Sequence, residues 1–428
     1  MCNVRVASCP VTAPPSSRPA PVHITDLARP TFTAEAQVII DGMAAMADYC
    51  PLTAEALHEQ AAAQTGLTDF GDQDYRERMA VLLQAFHELP RLTPFGRTYA
   101  FSLMLTFLKG RLYVVEHLKR HPEVFDIDIS APLIIAGLPR TGTTHLHSLL
   151  AADPGLRSLP YWEAQEPLPP PGEEGTIAPR RERTGAALNI SNTLMPYFQL
   201  MHEMTIDHIH EDIGLMVQDF ASGFFTTLTH LPRWSDYLRD NDQTPGYQFL
   251  RMMLQVLLHQ DGHQRRWVLK SPQHLEQFVP IMNVFPDATF IVTHRDPVDV
   301  AVSMATMMTY TMRMSVDEVD VPTVAGYWID RIDEMLSACL RDHDKLPPDR
   351  TIDVRFDEFM ADDLAMVERV WETAGYRQNA QSRAAVRDYL AGHTRGRLGS
   401  VDYRAADLGL DKAELRRRFA PYVERFVR

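Results

Sequence analysis

Residues 131–150 read APLIIAGLPRTGTTHLHSLL, and the reading of this stretch decides the fold. Leu133–Ala136 is apolar and partly β-branched, which suits a strand covered on both faces. Gly137, Pro139 and Gly142 make a turn, and a helix opening with Thr143 and Thr144 follows. A strand–turn–helix of this kind aims free backbone N–H groups and the positive end of a helix at one point. Thr141, Thr143 and Thr144 add hydroxyls there, and Arg140 adds a planar fixed charge. The ligand is expected to carry phosphate-like oxygens.

A nucleoside triphosphatase is the first reading, and one position argues against it. The Walker loop needs Lys directly after its second Gly, but Thr143 follows Gly142 here and the cation sits inside the loop as Arg140. No apolar run ends in a metal-holding Asp, since Phe290–His294 is followed by Arg295 before Asp296.

A second constellation lies in RRWVLKSPQHLEQFVPIMNVFPDATFIVTHRDPVDVAVSM, residues 265–304. Trp267–Leu269 and Thr289–Val292 read as two short strands joined through a helix over His274–Val284, a parallel crossover unit. Each strand carries a cation near its C-terminal end, Lys270 and Arg295. Asp296-Pro297 is a strong helix start, and Ser303 follows two turns into that helix. Side chains tilt toward the helix N-terminus, so Arg295 and Ser303 are expected to close on a further phosphate.

With these motifs the chain resembles the sulfotransferases that use 3′-phosphoadenosine-5′-phosphosulfate. LPRTGTT is similar to their 5′-phosphosulfate loop, and Arg295 with Ser303 reproduces their Arg-to-Ser 3′-phosphate signature. Lys270-Ser271 looks like the family's second cationic strand end. Ile352–Phe359 is similar to a further family strand, with Phe356 in place of Tyr. HTRGRLGSVDYRAADLGLD and RFAPYVERF, near the C-terminus, look like the tail of bacterial members. The resemblance implies that Pro139, Arg140, Thr141, Gly142, Thr143, Thr144 and His145 hold the phosphosulfate. It implies Arg295, Ser303, Arg395 and Arg397 for the 3′-phosphate, with Arg140 and Lys270 in catalysis. The implied co-substrate is 3′-phosphoadenosine-5′-phosphosulfate, without a metal, and the implied acceptor is a small or lipid-like hydroxyl compound.

The resemblance departs at the base. In one branch a His stands two residues after the Lys, but here that position is Pro272, which takes no proton. Other branches use a Glu soon after the loop's helix, and PYWEAQEP offers Glu163 first and Glu166 second. On chemistry alone His210 and His274 also qualify. Two other readings stay open: a phosphonucleotide-binding protein without transfer activity, and a kinase-like phosphotransferase.

Composition sets outer limits. The chain has 428 residues, 45% of them apolar, enough for one large α/β domain with a helical extension. A net charge of −14 disfavours a nucleic-acid binder. Four scattered cysteines, Cys2, Cys9, Cys50 and Cys339, fit a reducing cytoplasm. No stretch suits a transmembrane span, and homo-oligomerisation is left open. The expected fold is α/β, a P-loop-like, mostly parallel sheet flanked by helices. Residues 1–32 are expected to be a disordered lead-in, 33–130 a helical extension, and 131–428 the α/β domain, with a helical insertion at about 185–262. Within that insertion MHEMTIDHIHEDIGLMVQDF gathers His202, His208, His210, Glu211 and Asp212. It lacks the HExxH metal pattern and reads as pocket lining or plain surface.

Overall fold

The alternation of buried side chains along LIIA fixes the centre of the molecule. In β1 (Leu133–Ala136), Leu133 and Ile135 enter one apolar cluster, while Ile134 and Ala136 enter another on the opposite face. The computed structural model describes residues 20–393 and 398–428. Its sheet adds β2 (Leu156–Arg157), β3 (Arg266–Ser271), β4 (Thr289–His294) and β5 (Thr351–Arg355), in the order β2-β3-β1-β4-β5. Every pairing is parallel. The sequence reading joined β3 and β4 as one crossover unit; the fold inserts β1 between them, with Ile135 opposite Lys270 on one side and Ile291 on the other. Strand neighbours are set by long-range packing, which local periodicity does not carry. The chain first winds out from β1 toward β2, then crosses β1 to build β4 and β5. The crevice beyond the C-terminal ends of β1 and β4 is therefore the topological switch point, where open α/β sheets bind ligands.

Among the described residues four α-helices precede the sheet: α1 (Ala34–Ala44), α2 (Ala54–Thr65), α3 (Tyr75–His87) and α4 (Pro94–Arg120). Thr93 caps α4, accepting from the Gly96 N–H, and Pro94 occupies its first turn. The apolar stripe of α4, including Phe101, Met104 and Leu108, is buried, as a core-packing helix requires. After β1 come α5 (Thr143–Ala151), α6 (Tyr161–Gln165) and α7 (Ala178–Leu194). The expected insertion holds α7, α8 (Phe198–Met201), α9 (Ile213–Met216), α10 (Pro232–Asp240) and α11 (Thr244–Asp261). It is less helical than its composition suggests, because residues 203–212 run irregularly. Their backbone pairs with residues 159–162 instead: Tyr161 N–H donates to His208 O, and His210 N–H to Leu159 O. Beyond it lie α12 (Phe278–Val284), α13 (Pro297–Thr311), α14 (Val321–Asp342) and α15 (Phe356–Ala361).

The zones expected from sequence share cores. Phe220, Phe225 and Trp234 of the insertion pack into one apolar cluster with α2, α3 and α4. Arg111 of α4 and Arg78 of α3 both bind Asp219 of the insertion, at 2.9 and 2.6 Å. The lead-in expected over 1–32 lies partly outside the described residues. From residue 20 onward it is not loose: Ile24 and Leu27 are buried, and Val22 pairs its backbone with Ser400 and Asp402. Apolar side chains hold this segment without regular secondary structure.

Candidate active site

The loop between β1 and α5 is shaped by two residues in the left-handed region, Arg140 at φ 70° and Gly142 at φ 90°. Glycine accepts that conformation freely; a non-glycine there costs on the order of 1–3 kcal/mol and persists only where its surroundings enforce it. Those surroundings are on β4. Thr141 donates to Leu138 O at 2.6 Å and shares a hydrogen bond of 2.7 Å with the Thr293 hydroxyl. A side chain at Gly137 would collide with that same hydroxyl. Thr141 is thus turned inward, 1% exposed, as the strap that holds the loop. The sequence reading had it among the ligand donors; a partner on β4 was not visible there.

Pro139, Arg140, Gly142, Thr143, Thr144 and His145 line a cavity of about 670 Å³. Gly142 caps α5 without a side-chain acceptor, so the first N–H groups of that helix are directed at the cavity mouth. Among the described residues two cations, Arg140 and Arg295, line it, and Lys270 lies behind Thr144 and Glu211. Arg140 donates to Met201 O, which fixes the guanidinium against the insertion. Arg295 donates to Arg140 O at 2.7 Å and lies 4.2 Å over the Phe356 ring. Phe356 thus gives Arg295 a flat apolar platform, a role that needs no phenol hydroxyl. Lys270 is 1% exposed; its Nζ meets Glu211 Oε1 at 2.6 Å and Thr144 Oγ1 at 3.4 Å. Its backbone N–H donates to Asp212 at 2.9 Å. Burial raises the Asp212 carboxyl, but the adjacent His274 imidazole outweighs it and holds it below the usual range.

The remaining expectations separate cleanly. Ser303 is buried and does not line the cavity; its Oγ has no hydrogen-bond partner among the described residues, although a helical Ser ordinarily finds one. Arg395 and Arg397 lie outside the described residues. Glu163 is not brought to the loop. It is 6% exposed and bonded to Arg157 at 2.6 Å, and Arg157 also holds Asp261 at 2.8 Å. Burial pushes its carboxyl up against the pull of Arg157, and it faces a different cavity, beside His117 and Arg180. Glu166 is engaged by Arg183. His274 is enclosed between Asp212 and the Tyr247 hydroxyl. His210 packs edge-on against Tyr161 and stands one imidazole behind His208, outside the cavity lining. Breaking a buried ion pair is costly, so Glu163→Gln is expected to lower stability by about 3 kcal/mol in urea unfolding. Turnover should stay within about threefold of the parent, because the carboxylate does not reach the cavity.

What sequence reasoning underrated is the wall facing the loop. His202, His208 and Glu211 all line the cavity. Burial, then the charge of Lys270, lowers the His202 imidazole to about 4, so it is neutral at pH 7. The His-rich composition of residues 201–212 was the available signal. Glu211 also lines a second, mostly apolar cavity of about 80 Å³, with Met304, Trp328, Ile332 and Met335 on its walls.

A parallel sheet with an anion-binding loop at its switch point, two arginines on the cavity wall and a buried lysine behind it defines a P-loop-like architecture. Residues 132–379 match the sulfotransferase family, and the chain belongs to that family. Among solved structures, the sulfotransferase STF1 from Mycobacterium tuberculosis is 29% identical, with a TM-score of 0.76 over 86% of this chain and 98% of its own. STF9 from Mycobacterium avium is 28% identical, with a TM-score of 0.78 over 88% and 97%. The omega-hydroxy-beta-dihydromenaquinone-9 sulfotransferase Stf3 of Mycobacterium bovis is 24% identical across 74% of this chain and 79% of its own length. The protein is an enzyme of sulfuryl transfer, which decides against the binding-protein and kinase-like readings. Among the described residues no helix is long and apolar enough to cross a membrane.

Proposed function

We propose that the cavity binds 3′-phosphoadenosine-5′-phosphosulfate and that the enzyme sulfonates the hydroxyl of an apolar, lipid-like acceptor, with Glu211 as general base. The observation that carries this reading is the position of Glu211. Its carboxylate rests on Lys270 beside Thr144 and borders both the loop cavity and the apolar one. The mycobacterial relative named for omega-hydroxy-beta-dihydromenaquinone-9 supports an apolar alcohol.

Residues Pro139–His145 and Lys270 are assigned to the 5′-phosphosulfate, and Arg295 to the 3′-phosphate. The N–H groups opening α5, which no side chain caps, fit phosphate oxygens. The donor supplies a sulfuryl group joined to phosphate through one bridging oxygen. The acceptor oxygen forms the new S–O bond as the bridging S–O bond breaks, and the acceptor proton passes to Glu211. Arg140 and Lys270 stabilise the charge gathering on the departing phosphate. Neutral His202, on the same wall, orients the acceptor hydroxyl.

Calorimetry tests the nucleotide half. The 3′,5′-bisphosphate product is expected to bind at least about tenfold more tightly than AMP, from charge-assisted hydrogen bonds of ~1.5–3 kcal/mol each. Arg295→Ala should remove most of that difference, and equal affinities in the parent enzyme would refute the assignment. For the acceptor half, transfer from labelled donor to long-chain alcohols should exceed transfer to short polar ones, since the apolar cavity gains from burying methylenes. A preference for short polar alcohols would count against it.

A further inference from the structure

Outside the lining of the loop cavity, where α4 and α11 end, three imidazoles and a carboxylate converge. His117 and His121 end α4, Glu123 follows in the next turn, and His259 stands in the last turn of α11. His121 Nδ1 lies 3.0 Å from Glu123 Oε1, and His259 Nε2 lies 3.5 Å from the same oxygen. The ligand atoms of His121, Glu123 and His259 all fall within 4.8 Å of one another. His117 packs on both rings, its centroid 4.7 Å from that of His121 and 5.2 Å from that of His259.

We propose that His121, Glu123 and His259 form a binding site for one divalent transition-metal ion of the zinc class, tying α4 to α11. Tetrahedral zinc with bonds of about 2.0–2.1 Å places neighbouring ligand atoms about 3.3 Å apart, and the separations of Glu123 from His121 and His259 bracket that edge. Imidazole and carboxylate are the donor set such an ion selects. The electrostatics agree: α4 ends at Arg120 and α11 at Asp261, so two helix C-termini bring their partial negative charge to the cluster. Arg120, at the end of α4, is paired with Glu116 at 2.6 Å. His117 Nε2 is buried without a partner among the described residues, which leaves a donor on the inner side of the site. His117, His121 and His259 also line the neighbouring cavity, which leaves the fourth position accessible to water. Sequence reading expected no metal, because the ligands come from two helices far apart in the chain and have no local spacing.

The test is a titration of the chelator-treated, desalted full chain with zinc and, in parallel, with cobalt(II). The expected result is one ion per chain, visible cobalt bands of a four-coordinate site, and a Tm raised by several degrees through preferential binding to the folded state. His121→Ala and His259→Ala should each weaken binding at least tenfold and abolish the cobalt bands while keeping the metal-free Tm. Should either variant fold poorly, Glu123→Gln, at an exposed position, reads the same loss. No uptake by the parent chain, or uptake unchanged in these variants, would overturn the site.

Discussion

Replacing Glu211 by Gln is expected to lower kcat by about 10²–10⁴-fold, the usual contribution of a positioned general base. Affinity for the bisphosphate product should change by less than about threefold, since Gln still accepts a hydrogen bond from Lys270. The argument rests on geometry. Among the carboxylates considered for proton transfer, Glu211 is bonded to Lys270 of β3, which also reaches Thr144, and it borders both the loop cavity and an apolar one. Glu163 shares neither property. The same measurement on His202→Gln separates a base from an orienting group. A positioning imidazole should cost less in kcat and more in acceptor KM. Loss in His202→Gln with normal turnover in Glu211→Gln would transfer the base to the imidazole.

The second large effect concerns the cations. Fixed donors aimed at a departing oxygen act chiefly in the transition state. Arg140→Ala and Lys270→Ala are each expected to cost about 10²–10³-fold in kcat, comparable to removing an oxyanion donor. Arg295→Ala should act mainly on nucleotide binding, because its guanidinium is oriented by the Arg140 carbonyl and the Phe356 ring and not by Lys270 or Thr144. Single-turnover kinetics at saturating nucleotide distinguish the two. If all three variants lost affinity alone, the division of roles would be wrong.

The part of this site that is legible in sequence is the part built by local chain. Gly137–Thr144 is announced by residue types in order, as a turn and the helix it opens, although β4 holds the loop in shape. Lys270 and Arg295 are readable for the same reason, each sitting where an apolar strand ends. The order of the strands is not local, and β1 enters between β3 and β4 because its two faces pack against different clusters. The orientation of Thr141 depends on Thr293, in a strand far along the chain. Glu211 was hardest to read. It reaches the loop because residues 206–210 pair with residues 159–162, a tertiary match that leaves no periodicity. Glu163 misled for a related reason, since its distance along the chain from the loop said nothing of Arg157, itself held by Asp261, which draws it away.

The central claim, that one cavity at the ends of β1 and β4 holds the nucleotide across Thr143, Thr144, Lys270 and Arg295, is tested most directly by diffraction from crystals grown with 3′-phosphoadenosine-5′-phosphate. The 5′-phosphate is expected against the opening N–H groups of α5 and the Lys270 ammonium, with the 3′-phosphate on Arg295. A nucleotide seated in the cavity of Glu163 and Arg180, or one whose 3′-phosphate avoids Arg295, would contradict the account.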